Sequence, residues 1–234
     1  EILSGLVGSE MCIRDSGPPD RSQNEIPAMG HPRRKNRYGA GTRPLSSPDT
    51  SYRSPTMTTH WIPEQLLEPG VGVILDTETT DLDGRIIEIS IIDAATGTVL
   101  MDQLINPQGA PICAEARTVH HISPDDLATA PTFTQVRPRL EDVVADRVVM
   151  AWNAPFDRER IEAEYALAGL DAPAWPWCCL MRLEASVMGC QWRRLDGPHR
   201  GLGDVIAARR RLIALQEMRA VSYTHLRAHE TRED

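Results

Sequence analysis

A short apolar run, Val71–Asp76 (VGVILD), sets the centre of the predicted fold. Its length and its β-branched residues are typical of a strand buried on both faces, and the preceding Pro69-Gly70 pair marks where the strand begins. A strand of this kind lies inside a sheet and is covered by other elements. We therefore expect Val71–Asp76 to be a buried central strand.

Two further strands are predicted immediately downstream. Arg85–Asp93 (RIIEISIID) follows Gly84 and alternates enough to be a strand, and Val99–Ile105 follows the tight turn at Thr96-Gly97. Because only short turns separate the three runs, they are expected to form a meander.

The rest of the chain alternates helical and strand patterns. Ser123 is placed as the N-cap of a helix that starts with proline, as helices often do. Further helices are predicted over Thr132–Val144, Asp157–Leu170 and Leu202–Met218, a fourth strand over Val148–Ala151, and a short strand running into a helix within Trp175–Leu183. The chain begins with consecutive strands and continues with strands that alternate with helices. This order predicts an α/β fold, in which helices cover a mixed sheet.

Composition narrows the class of protein. Residues 57–220 contain 15 arginines, no lysine and 24 acidic residues, a net charge of −9, so a non-specific DNA coat, which needs a basic field, is excluded. An enzyme that holds divalent cations stays open, because bound metal reverses the local charge. No apolar run approaches the roughly 20 residues that cross a bilayer, and five cysteines without a CxxC pair give no disulfide framework or zinc site. We expect a cytoplasmic protein with no membrane partner.

Both ends of the chain are predicted to be translated sequencing adapter. Residues 221–231 (VSYTHLRAHET) and 6–15 (LVGSEMCIRD) match translations of the two strands of one transposase-adapter oligonucleotide. Residues 17–56 are rich in Pro, Ser, Gly and Arg, and are either an in-frame leader before Met57 or a disordered basic arm that could touch nucleic acid. The expected division is 1–56 adapter with leader or disordered segment, 57–220 a single domain, and 221–234 an adapter-derived tail.

Asp76-Thr77-Glu78 places two acids at the end of the first strand. Residues i and i+2 of a strand point to one face, so the two carboxylates project together. Like charges this close raise each other's pKa unless a cation neutralises them, and hard divalent cations with oxygen ligands do so. The pair is either part of a metal site or two solvated turn carboxylates.

Two other segments combine with this acid pair. Asn153–Asp157 (NAPFD) follows the fourth strand, although an acid that opens a helix can also be stabilised by the helix dipole alone. His199–Asp204 (HRGLGD) places a histidine in a loop before an acid in the first turn of the last helix. Each segment alone has a structural interpretation, but the three in this order indicate one shared site.

In this combination the sequence resembles the DEDDh 3′–5′ exonucleases, which include the epsilon proofreading subunit of bacterial DNA polymerase III, exonuclease X, ribonuclease T and oligoribonuclease. The resemblance spans about Gly72–Arg211, and its matching segments are DTETTDL at 76–82, an E-x4-HxI pattern at 115–122, NAPFDRERI at 153–161 and HRGLGD at 199–204. It implies an RNase H-like fold, a mixed five-stranded sheet in the order 3-2-1-4-5. Three positions depart from the family pattern: Trp152 stands where His is usual, His121 where Gly is common, and Gly201 where Ala is common.

The resemblance also implies a mechanism, which is two-metal hydrolysis of phosphodiester bonds with Mg²⁺ or Mn²⁺. It assigns Asp76 to both ions, Glu78 and Asp204 to the first, and Asp157 to the second. His199 would be the general base. The implied substrate-binding residues are Asp76, Glu78, Glu115, His120, Asn153 and Asp204. The expected partners are single-stranded DNA or RNA 3′ ends, cleaved to nucleoside 5′-monophosphates in repair or proofreading, and a DNA polymerase.

Alternatives to a DNA exonuclease stay open at this point. An RNA 3′–5′ exonuclease of the ribonuclease T or oligoribonuclease type differs in pocket detail that recognises the 2′-OH. A non-catalytic polymerase-associated module would be expected to lack one of the acids of the motifs, yet Asp76, Glu78, Asp157 and Asp204 are all present. A truncated frame that does not fold as written is the third alternative. Near the last motif, Arg193, Arg194 and Arg200 are either a solvated cluster or phosphate guides.

Overall fold

The computed structural model describes residues 61–230 of the chain, with side chains up to Val221. Its elements, in chain order, are α1 (Pro63–Leu66), β1 (Gly72–Thr79), β2 (Ile86–Asp93), β3 (Val99–Leu104), α2 (Ala114–His120), α3 (Pro124–Leu127), α4 (Phe133–Val144), β4 (Val148–Ala151), α5 (Ala154–Leu167), β5 (Trp177–Cys179), α6 (Leu180–Met188) and α7 (Gly201–Glu230). No helix within these residues is both long enough and apolar enough to cross a membrane.

The five strands form one sheet in the order β3-β2-β1-β4-β5. β1 pairs antiparallel with β2 and parallel with β4, β2 pairs antiparallel with β3, and β4 pairs parallel with β5. The sheet is therefore mixed and β1 lies at its centre. Both the predicted strand order and the predicted central strand are confirmed.

Side chains of β1 are divided between two helical layers. Val73 and Leu75 pack in the cluster that includes α4 and α5, whereas Ile74 packs in the cluster that includes α1, α6 and α7. Because side chains alternate along a strand, Asp76 continues the α7 side and Thr77 continues the α5 side. The alternation of side chains along β1 thus determines which helix each polar side chain at the end of the strand can contact.

Several helix boundaries differ from the predictions; α5, for example, ends at Leu167 rather than at Leu170. α5 begins at Ala154 rather than at Asp157, because Asn153 occupies the N-cap and the following proline suits a first helical turn. α7 continues past the predicted end at Met218 to Glu230, and no Pro or Gly interrupts that stretch. The predicted adapter and leader segments within residues 1–60, and residues 231–234, lie outside the described residues, so the division of the chain stays a prediction.

Candidate active site

The carboxyl end of β1 opens into a cavity of about 380 Å³. Its walls come from β1, α2, the starts of α5 and α7, and the segment that precedes α7. All the residues that the sequence analysis proposed for the site line this one cavity: Asp76, Glu78, Glu115, His120, Asn153, Asp157, His199 and Asp204.

Three of the acids form a tight cluster. One carboxylate oxygen from each of Asp76, Glu78 and Asp204 lies within 4.8 Å of the other two. Asp76 and Glu78 extend from one face of β1, and Asp204 lies in the first turn of α7 on that same side. Hard divalent cations bind carboxylate oxygens at roughly 2.0–2.6 Å, so oxygens this close can share one ion.

The charges of this cluster oppose one another. Burial raises the pKa of Asp76 well above its usual range, and repulsion from Asp157 and Glu78 adds to the effect. Burial, followed by repulsion from Asp204, raises the pKa of Glu78 to about 9, and burial also raises the pKa of Asp204. Carboxylates that resist ionisation in this way lack a counter-charge, which a divalent cation would supply. The donor set therefore fits a divalent metal.

Asp157 approaches the cavity from the other face of β1. Its Oδ1 accepts hydrogen bonds from the Thr77 backbone N at 3.0 Å and from the Thr77 Oγ1 at 2.8 Å. Burial raises the pKa of Asp157 to about 7, and the two bonds from Thr77 oppose that rise. Asp157 lines the same cavity as the three clustered acids, and its charge acts on Asp76.

His199 lies in the loop that leads into α7. Its backbone adopts a left-handed conformation, with φ of +56°, and its backbone N donates to the Oδ1 of Asp204 at 3.3 Å. The Nη2 of Arg194 lies 3.3 Å from His199 Nε2. Because a guanidinium group can only donate, Nε2 is the acceptor in this contact. The backbone of His199 is thus bonded to Asp204 of the acid cluster, and its imidazole contacts Arg194.

Helix α2 carries Glu115, which is exposed, and His120, which is 2% exposed. The Nδ1 of His120 accepts from the Ile122 backbone N at 2.9 Å, and burial lowers the pKa of His120. A neutral ring whose Nδ1 accepts carries its hydrogen on Nε2. His120 therefore lines the cavity with a neutral ring that carries its hydrogen on the buried Nε2.

Glu88 belongs to this region but was missed by the sequence analysis. It is 3% exposed, and the β1–β2 register places it opposite Glu78. Its carboxylate accepts from Arg200 Nη2 at 2.7 Å, from Arg200 Nε at 3.2 Å and from the Gly201 backbone N at 2.8 Å. These bonds tie the start of α7, and with it Asp204, to β2. The available signal was an acid flanked by isoleucines on both sides within β2.

The three departures from the family pattern each have a structural explanation. His121 ends α2 with φ of +60°, a conformation that glycine adopts most easily. Trp152 is buried, and its Nε1 donates to the backbone O of Arg193 at 3.2 Å. At Gly201 a Cβ atom would lie 2.6 Å from the Oγ of Ser90, so the small residue is required here.

Comparison with known families decides what kind of site this is. The family model described as "Exonuclease" (RNase_T) matches residues 73–207. The chain belongs to this exonuclease family. The DEDDh resemblance that the motifs indicated is thereby confirmed at the level of the family.

Individual relatives agree with this assignment. The chain is 32% identical over 164 residues to a DNA polymerase III subunit epsilon-like protein of Rhodobacter capsulatus, covering 66% of this chain and 23% of the relative. It is 31% identical over 118 residues to exodeoxyribonuclease 10 of Escherichia coli K12, covering 47% of this chain and 45% of the relative. The chain thus spans less than half of either relative.

Among solved structures, exonuclease X in complex with 5′ overhanging duplex DNA is 27% identical, with a TM-score of 0.49 over 62% of this chain and 91% of that chain.

Proposed function

We propose that the chain is a metal-dependent 3′–5′ exonuclease that hydrolyses single-stranded DNA from its 3′ end to nucleoside 5′-monophosphates, in repair or proofreading. The observation that carries the proposal is the cluster of Asp76, Glu78 and Asp204 beside His199, in one cavity of an exonuclease domain. The names of two relatives, an exodeoxyribonuclease and an epsilon-like protein of a DNA polymerase, favour DNA over RNA.

Two divalent cations, Mg²⁺ or Mn²⁺, are part of the proposal. Asp76, Glu78 and Asp204 would hold the first, and Asp157 with Asp76 would hold the second. Bound there, such ions supply Lewis-acid chemistry that activates water and stabilises charge on the attacking and leaving oxygens. The carboxylates with raised pKa values, crowded within 4.8 Å, are the part of the site that fits this role.

The protein's own side chains would orient the substrate and move a proton. His199 accepts the proton of the attacking water at Nε2, acting as the general base. Glu115, His120 and Asn153 would contact the terminal nucleotide. Glu88 holds the start of α7 in place through its bonds to Arg200 and Gly201.

The test uses the full chain and a single-stranded DNA oligomer labelled at its 5′ end, incubated with Mg²⁺ or with EDTA. We expect a ladder that shortens from the 3′ end with Mg²⁺ and no cleavage with EDTA. Asp76→Asn should abolish cleavage, whereas Asp142→Asn, an exposed acid of α4 that does not line the cavity, should cleave like the wild type. Undiminished cleavage by Asp76→Asn would overturn the proposal.

The choice between DNA and RNA is tested with two oligomers of the same sequence, one of each kind. Faster cleavage of DNA supports the proposal, and degradation of RNA alone would move the chain to the ribonuclease alternative, since a 2′-OH on every nucleotide distinguishes the RNA from a DNA oligomer that contains no thymine.

A contact with a DNA polymerase and a cytoplasmic location also stay predictions. The polymerase contact is checked by co-elution of this chain with a replicative DNA polymerase in size-exclusion chromatography. Separate elution of the two proteins would argue against it.

A further inference from the structure

The substrate of the proposed reaction is a polyanion, yet it must enter an acidic cavity. Six carboxylate residues line the cavity: Asp76, Glu78, Asp81, Glu115, Asp157 and Asp204. Within the described part of the chain, only two guanidinium groups line it, those of Arg193 and Arg194. Arginine suits phosphate because its planar fork donates two parallel hydrogen bonds. An arginine contact to phosphate in this cavity would therefore come from one of these two residues.

The third arginine of this region is already committed elsewhere. Arg200 donates two hydrogen bonds to the buried carboxylate of Glu88, and its charge is neutralised there. By contrast, none of the ion pairs found among residues 61–221 includes Arg193 or Arg194. The structure thus separates one structural arginine from two whose charges have no carboxylate partner among the described residues.

Arg194 is distinguished from Arg193 by what it touches. Its Nη2 donates to the Nε2 of His199, the atom to which the proposed mechanism gives the proton of the attacking water. An atom beside the attacking water is also beside the scissile phosphate. The backbone at Arg193 is fixed by the Nε1 of the buried Trp152, so the position from which Arg194 reaches inward is set by the core.

We propose that Arg194 is a binding residue for the scissile phosphate, and that it blocks His199 Nε2 when no substrate is bound. On substrate binding, the N–H of Arg194 exchanges its bond to Nε2 for a bond to a non-bridging phosphate oxygen. That exchange frees the Nε2 lone pair only when a phosphate is in place. The inference rests on the proposed function, since it assumes a phosphodiester substrate at this site.

The test compares Arg194→Ala and Arg194→Lys with Arg193→Ala, a matched variant that removes a neighbouring guanidinium from the same wall. Binding of thymidine 5′-monophosphate in the presence of Mg²⁺ is measured by calorimetry, and cleavage is measured as kcat/KM on the DNA oligomer. We expect Arg194→Ala to weaken nucleotide binding about 10-fold and to lower kcat/KM about 10- to 100-fold, as loss of a charge-assisted hydrogen bond implies. Arg194→Lys should recover part of each loss, and Arg193→Ala should change each by no more than about twofold.

Two outcomes would overturn the inference. Nucleotide affinity that is unchanged in Arg194→Ala would show that Arg194 only restrains His199, even if kcat falls. Equal losses in Arg193→Ala and Arg194→Ala would show a general electrostatic field rather than a specific contact. Failure of the proposed function would be recognised separately, because the wild-type chain itself would then not cleave DNA. Nucleotide binding is measured without cleavage, so it tests the role of Arg194 independently.

Discussion

Removing metal should make this protein less stable as the pH rises, because the folded state crowds carboxylates that prefer to be protonated. The ordinary pKa of Glu78 is 4.5, and the folded protein raises it to about 9. Between these two values the folded state keeps a proton that the unfolded state has released. Stability must then be highest below the unfolded pKa and be lost as the pH rises toward the folded pKa.

The magnitude follows from the size of the pKa shift. One retained proton changes the free energy of unfolding by about 1.4 kcal/mol per pH unit, so Glu78 alone gives a loss of about 3 kcal/mol between about pH 5.5 and about pH 7.5. In a protein of this size such a loss lowers Tm by roughly 6–12 °C. Asp157, with a pKa of about 7, steepens the decline below neutral pH.

The assay is urea unfolding in EDTA at several pH values, repeated with saturating Mg²⁺. We expect a decline with pH in EDTA and little or no decline with Mg²⁺, because the cation neutralises the ionised acids. Glu78→Gln should flatten the decline in EDTA, and the exposed Asp142→Asn should leave it as in the wild type. Stability in EDTA that is constant or rises over this range, or a wild-type slope in Glu78→Gln, would show that Glu78 does not retain a proton in the folded state.

Three other variants test individual contacts of the site. Thr77→Val removes the Oγ1 donor to Asp157, and should cost roughly 1.5–3 kcal/mol of unfolding free energy in urea titrations. Gly201→Ala places a Cβ 2.6 Å from the Ser90 Oγ and should cost roughly 1–3 kcal/mol, with Ser90→Gly in the same chain restoring most of it. Glu88→Gln weakens the ties to the start of α7 and should lower kcat on the DNA oligomer by about tenfold or more while Mg²⁺ is saturating. A wild-type result in any of these measurements would contradict the contact concerned.

Local sequence signals predicted most strands of the sheet and identified the central one. Apolar runs next to Gly or Pro located β1 to β3, and β4 matches its predicted bounds. Helix α2 was not predicted, because Ala114–His120 is short, lacks apolar periodicity and has an unusual N-cap, the Sγ of Cys113 accepting from the Ala116 backbone N. Short elements of this kind are decided by tertiary contacts rather than by their own pattern.

The features of the site that the sequence did not predict depend on contacts between residues far apart in the chain. The motifs located the acids and His199, and i, i+2 spacing predicted that Asp76 and Glu78 share a face. The role of Glu88 depends on its register with β1 and on Arg200, 112 positions away in the chain. Likewise, the sequence treated Arg194 and Arg200 alike, and only the fold shows that they have different partners.

Anomalous diffraction from crystals of the protein soaked in Mn²⁺ would show whether Asp76, Glu78 and Asp204 hold a divalent cation. We predict an anomalous peak at roughly 2.0–2.6 Å from carboxylate oxygens of all three residues. No peak at the cluster in crystals that bind Mn²⁺ elsewhere, or a peak that is unchanged in Asp76→Asn, would contradict it.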